Sequence, residues 1–109
     1  MSTALPQPMS DYFVHANAGN APAAAKCFGL DGSVLDEGKT LTGRAAIAHW
    51  LYTSRQAYNA HLTPLRTEGS AGSPLVHVEV EGNFPGSPLV LKFQFRLADK
   101  LIRQLEITS

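Results

Sequence analysis

Two side chains in this 109-residue chain have types and settings suited to proton chemistry, Asp36 and Tyr12. Asp36 ends the short apolar run "SVLD", just before a turn at Gly38. A carboxylate that closes a strand and faces an apolar pocket loses hydration. It then holds its proton to higher pH and gains strength as a general base. In the same place a carboxylate can instead accept backbone N–H bonds in an Asx-type turn, and the residues alone leave both readings open. Strand alternation puts Asp36 on the face of Val34, which favours Asp36 over Glu37 as the inward acid. Tyr12 lies in the helical stretch "MSDYFVHANAGN". Its phenol either meets a ligand or packs in the core with its hydroxyl on backbone or water.

Other reactive types carry less. The four histidines lack the paired spacing of a metal site, so no metal is expected. His15 sits about one helical step from Tyr12 and is read either as a pocket-rim residue or as a surface one. Cys27 is the sole cysteine, so no intrachain disulfide forms, and it is expected to lie buried against a sheet. "GNFPGS" holds two glycines but precedes a strand rather than a helix, so it is not a phosphate loop. No cofactor is implied.

The elements that must position Asp36 and Tyr12 follow from periodicity. Residues 1–8 carry Pro6 and Pro8 and read as a lead-in, with a first helix starting near either proline and ending at Gly19. Asn20 caps a short second helix with "AAAKCF" as its body, and "GLDG" reads as a break. A strand from Val34 to Glu37 leads through the Gly38 turn to a long helix, Arg44 to about Tyr58. On that helix Ile47, Trp50, Leu51, Ser54 and Tyr58 share one face. Period-two patterns then take over. "HLTPLRTEG" is an edge or bulged strand because of Pro64. "PLVHVEVEG", "LVLKFQFRL" and "LIRQLEITS" complete a meander. Val76, Val78 and Val80 share one face of their strand and Leu89, Leu91, Phe93, Phe95 and Leu97 one face of theirs, while His77, Glu79, Glu81, Lys92, Gln94 and Arg96 fall on the polar face. There the opposite charges on neighbouring strands are expected to pair weakly. Segregated helices and an antiparallel meander predict a single α+β domain.

Composition narrows the partners. Nine basic residues balance nine acidic ones, so nothing builds the field that nucleic acid or an anionic membrane requires. No run approaches the ~18 apolar residues of a bilayer span, and the N-terminus lacks the pattern of a secretory signal. A lone cysteine fits a reducing, cytoplasmic setting.

Three segments in this order resemble one family: "YFVHANAGNAPAAAKCF", "SVLDEGKTLTGRAAIAHW" and "GNFPGSPLVLKFQFRLADKLIRQLEI". Together they are similar to the SnoaL-like branch of the nuclear transport factor 2-like superfamily, across nearly the whole chain. The resemblance implies a cone-shaped α+β barrel, a curved antiparallel sheet wrapped by the three helices around a pocket. It also implies a small hydrophobic or carbonyl-bearing ligand and a homodimer formed through the polar sheet face. By resemblance to ketosteroid isomerases, Tyr12, seven residues before Gly19, and Asp36 take the catalytic places. Trp50, Phe93, Phe13, Phe28, His15 and Ser54 would line the pocket. Phe93 stands where those enzymes carry a protonated acid. Losing one such donor costs ~10²–10³ in rate, so steroid isomerisation is disfavoured. Isomerase, cyclase or dehydratase chemistry on another small molecule remains, as does a non-catalytic binding or dimerisation module.

Overall fold

A computed structural model describes residues 5–109 of the chain as three helices and six strands. The helices are α1 (Gln7–Asn17), α2 (Ala21–Ala25) and α3 (Arg44–Tyr58). The strands are β1 (Phe28–Asp36), β2 (Lys39–Thr42), β3 (His61–Ser70), β4 (Ser73–Glu81), β5 (Leu89–Ala98) and β6 (Leu101–Thr108). They form one sheet in the order β2-β1-β6-β5-β4-β3.

α1 begins at Gln7 with Pro8 in its first turn, so the end of the expected lead-in is already helical. Residues 1–4 of that segment lie outside the described residues. Met9, Tyr12 and Phe13 form the buried stripe of α1. Gly19 reverses the chain at φ +76°, and the Asn20 side chain accepts the Ala23 N–H at 3.2 Å to start α2. α2 stops at Ala25, short of the expected body "AAAKCF". The sheet claims the rest: Phe28 opens β1, and the Cys27 carbonyl accepts the Ile102 N–H at 2.9 Å. Cys27 itself is buried.

The α+β architecture holds, with all three helices in the N-terminal half, but the sheet is mixed rather than antiparallel throughout. β1 runs parallel to β6, and every other neighbouring pair is antiparallel. It is also open rather than closed into a barrel, with β2 and β3 as its edges. "GLDG" is not a break. It lies inside β1, where the register against β6 slips between Phe28 and Ser33. Gly32 is needed at this bulge, because an added Cβ would lie 2.9 Å from the Phe28 Cβ and 3.0 Å from the Gly29 carbonyl oxygen. The expected bulged edge strand at Pro64 is β3, with its own slip between Pro64 and Arg66.

Val76, Val78, Val80, Phe93 and Phe95 are buried, facing the helices. The register places Val76 opposite Phe93, and Phe93 opposite Ile107. The expected charge pairs on the other face do not form. Glu79 stands opposite Val90 rather than a cation, and His77 stands opposite Lys92. Among the described residues the ion pair is instead His77 with Glu68, across β4 and β3. No helix among these residues is long and apolar enough to cross a membrane.

Candidate active site

Asp36 owes its direction to strand register. It is the last residue of β1, paired with Lys39 on β2 and Ile107 on β6. Side chains directly opposite share a sheet face, so Asp36, Ile107 and Phe93 form one row across three strands. All three line a cavity of about 370 Å³ between the sheet and α3. The two-residue turn that follows puts Glu37 and Gly38 at φ +53° and +77°. That geometry matches the twist of a tight hairpin, and it leaves Glu37, largely exposed, on the cavity's edge.

α3 supplies the facing wall. Trp50, Leu51, Ser54 and Tyr58 line the cavity, as the helical face read from the sequence predicts. The "GR" that leads the helix has a local cause. Gly43 takes φ +93° and donates its N–H to the Gly32 carbonyl at 2.8 Å. The Arg44 Nε donates to the Phe28 carbonyl at 2.9 Å. Both bonds fasten the start of α3 to the bulged part of β1. Trp50 is thereby held so that its indole Nε1–H donates to Asp36 Oδ2 at 3.3 Å.

α1 places Tyr12 from the side. Its ring is wedged edge-on among Phe13, Phe28 and Phe95, at centroid distances of 5.3, 5.8 and 6.1 Å. Edge-to-face contacts of this kind fix a ring's orientation as well as burying it. Tyr12 is 1% exposed, it lines the cavity, and no hydrogen bond among the described residues takes up its hydroxyl. Two polar clamps dock the end of α1, and reading the sequence missed both. The Asn17 amide gives Nδ2–H to the Leu62 carbonyl and accepts the Leu62 N–H, each at 2.8 Å, acting as a one-residue strand partner for β3. Arg55 donates Nη1–H to the Asn17 and Ala16 carbonyls at 3.0 and 3.4 Å, a cation at a helix C-terminus. Isolated polar residues on helices leave no periodic signature, which is why neither stood out.

Not every expected lining residue reaches the cavity. Tyr12, Asp36, Trp50, Ser54 and Phe93 do. Phe13 and Phe28 are buried behind Tyr12 and brace its ring instead. His15 faces a separate cleft with Pro6, Lys26, Cys27 and Lys100, because it lies one helical step past the inward stripe. Phe84 and Pro85, in the β4–β5 loop, are among the lining residues that the sequence reading does not include. Phe84 packs edge-on against Tyr58 at 6.0 Å.

The electrostatics follow from this burial. Lost hydration holds the Asp36 carboxyl above the usual carboxylate range, the Glu37 charge adds to the effect, and the Trp50 N–H bond works against it. Burial pushes the Tyr12 phenol well up, and the Asp36 charge pushes it further. Near neutral pH the site therefore pairs a phenol that keeps its proton with a carboxyl that binds one more readily than usual. No group of histidine, cysteine and acidic side chains among the described residues is placed to hold a metal ion.

No protein-family model and no curated protein matches the sequence. Solved structures do. The candidate polyketide cyclase SMa1630 from Sinorhizobium meliloti is 33% identical over 95% of both chains, with a TM-score of 0.91. This chain belongs to the SnoaL-like branch of the nuclear transport factor 2-like superfamily. Solved structures of lower identity share the fold. A protein with a ketosteroid isomerase-like fold from Catenulispora acidiphila, solved in complex with trimethylamine, is 19% identical over 97% of this chain and 87% of its own, at TM-score 0.85. SalBIII, an epoxide hydrolase/cyclase-like enzyme of pyran ring formation in salinomycin, is 19% identical over 94% and 87%, at 0.79. Within this SnoaL-like frame the carboxylate at the end of β1 and the tyrosine of α1 converge on the cavity, while Phe93 contributes only an apolar wall.

Proposed function

We propose that this SnoaL-like chain catalyses proton transfer on a compact, carbonyl-bearing small molecule, in an isomerisation, cyclisation or dehydration. Asp36 removes a proton from carbon next to the carbonyl, and the Tyr12 hydroxyl donates to the carbonyl oxygen as negative charge develops there. The observation that carries this reading is the convergence of Asp36 and Tyr12 on one cavity with largely apolar walls. Its size, about 370 Å³, is at the small end for ligand pockets, which favours a compact substrate. The likeness to a candidate polyketide cyclase supports a small guest of this kind.

Incubation with small ketones, enones and β-diketones in deuterium oxide tests the proposal, by following deuterium entry next to the carbonyl. The wild type should exchange at least one of them faster than buffer. Tyr12→Phe should slow that exchange by ~10²–10³, the cost of one oxyanion donor. Exchange at the buffer rate for every compound would favour a binding or dimerisation module with a structural cavity.

The outer sheet face is proposed as a homodimer surface. It carries His77, Glu79, Lys92, Gln94 and Arg96 together with Val90, which is 54% exposed. A largely polar interface should loosen with salt, as charge interactions are screened over about 10 Å at 0.1 M ionic strength. Sedimentation should show a dimer that dissociates at high salt, and a monomer at every concentration would remove this element.

A further inference from the structure

We infer that the cavity takes a ligand bearing a protonated amine, with the ammonium set against Asp36 and its apolar body against the aromatic walls. This rests on the reading above that the cavity is the ligand site, but not on that site being catalytic.

Among the described residues Asp36 lacks a counter-ion and most of its hydrogen-bond partners. It has lost much of its hydration, and its one hydrogen bond among the described residues comes from the Trp50 indole. Lys39, its hairpin partner on β2, forms no ion pair with it among the described residues, and the neighbouring charge that acts on it is Glu37, of the same sign. Among the cavity-lining residues the cation is Arg55, whose guanidinium is turned to the carbonyls of Asn17 and Ala16. A desolvated carboxylate without a counter-ion is costly unless a proton or a ligand supplies the positive charge. β4, β5 and β6 line the cavity with aliphatic side chains and Phe93, so no group on the sheet competes for that role.

The walls and the second polar group point the same way. Trp50, Tyr12, Tyr58, Phe84 and Phe93 bring five aromatic side chains to one small space, and aromatic faces attract cations. The Tyr12 hydroxyl, on a buried residue that lines the cavity and without a hydrogen-bond partner among the described residues, can accept an N–H while Asp36 accepts another. A neutral carbonyl that gives up no proton would satisfy Tyr12 and leave Asp36 uncompensated. A carboxylate ligand would meet Asp36 and Glu37 with the phenol as the nearest buried donor. An ammonium answers both groups at once.

Trp50 is the only tryptophan in the chain and lines the cavity, so its fluorescence reports occupancy. Three probes of matched shape separate the charges near neutral pH: cyclohexylamine, cyclohexanol and cyclohexanecarboxylate. The ammonium should bind about tenfold or more tighter than the alcohol, and the carboxylate more weakly than either. In Asp36→Asn the preference for the amine over the alcohol should fall to about twofold or less, with the circular dichroism spectrum and a cooperative thermal melt of the variant showing that it is folded. The inference is overturned if the amine shows no saturable binding, if the alcohol or the carboxylate binds as tightly, or if Asp36→Asn keeps the full preference. Deuterium exchange of ketones is a separate readout, so either proposal can fail while the other stands.

Discussion

Asp36→Asn is expected to slow proton transfer by ~10²–10⁴, the usual contribution of a positioned base, and at the same time to make the protein more stable near neutral pH. The two effects share one cause. Lost hydration first, and the Glu37 charge second, raise the folded-state pKa of Asp36 above its unfolded value. The fold therefore prefers the protonated acid. The stability this gives is fully present below the unfolded pKa, near ~3.9, and is lost as pH rises through the folded value. Asparagine carries no charge to desolvate, and its carbonyl oxygen can still accept the Trp50 indole N–H. Thermal melts of both proteins in mildly acidic and neutral buffer should diverge as pH rises, with the mutant the more stable at neutral pH. A mutant less stable than wild type at neutral pH would mean that the carboxylate is stabilised by its surroundings, as in a simple turn.

Phe95→Ala should be the most damaging truncation on β5, costing ~3–5 kcal/mol. Phe95 is fully buried, with the rings of Phe13, Tyr12 and Phe93 at 5.9, 6.1 and 6.3 Å. Its removal leaves a void at the centre of the aromatic cluster and unseats the ring that carries the Tyr12 hydroxyl. Phe93→Ala should cost less, because Phe93 borders the cavity as well as the core and space already exists beside it. Phe93→Ala should also change which ligands bind. Urea denaturation of the two variants side by side tests the order, and Phe93→Ala proving the more destabilising would show that the cavity wall is packed as tightly as the core.

Local patterns made most of the fold legible. Alternation in "PLVHVEVEG" and "LVLKFQFRL" placed Val76, Val78, Val80, Phe93 and Phe95 on one face, and the antiparallel register of β4 and β5 agrees. The helical period of α3 found Trp50, Leu51, Ser54 and Tyr58 on the inner side. The parallel pairing of β1 with β6 was not legible, because it joins residues some seventy positions apart and leaves no turn signal. The "GLDG" glycines misled for a related reason: a glycine can end a strand or bulge it, and the difference lies in the partner strand. The choice between rim and surface for His15 is not legible either, because a helical step does not tell how far the cavity extends around α1. The outer-face charge pairs failed on a register that places Val90 opposite Glu79. Asp36 was readable by parity with Val34, yet the row that aims it inward belongs to Ile107 and Phe93, on strands distant in sequence.

The central claim is that Asp36 is a desolvated carboxylate aimed into the cavity rather than a turn residue held by backbone N–H groups. The most direct test is an NMR titration of the Asp36 side-chain carboxyl in the folded protein, assigned by its loss in Asp36→Asn. The account predicts a midpoint above the ordinary aspartate value near ~3.9. A midpoint below that value would contradict it, since a depressed pKa means that the fold stabilises the charge and the turn, not the cavity, explains why an acid stands there.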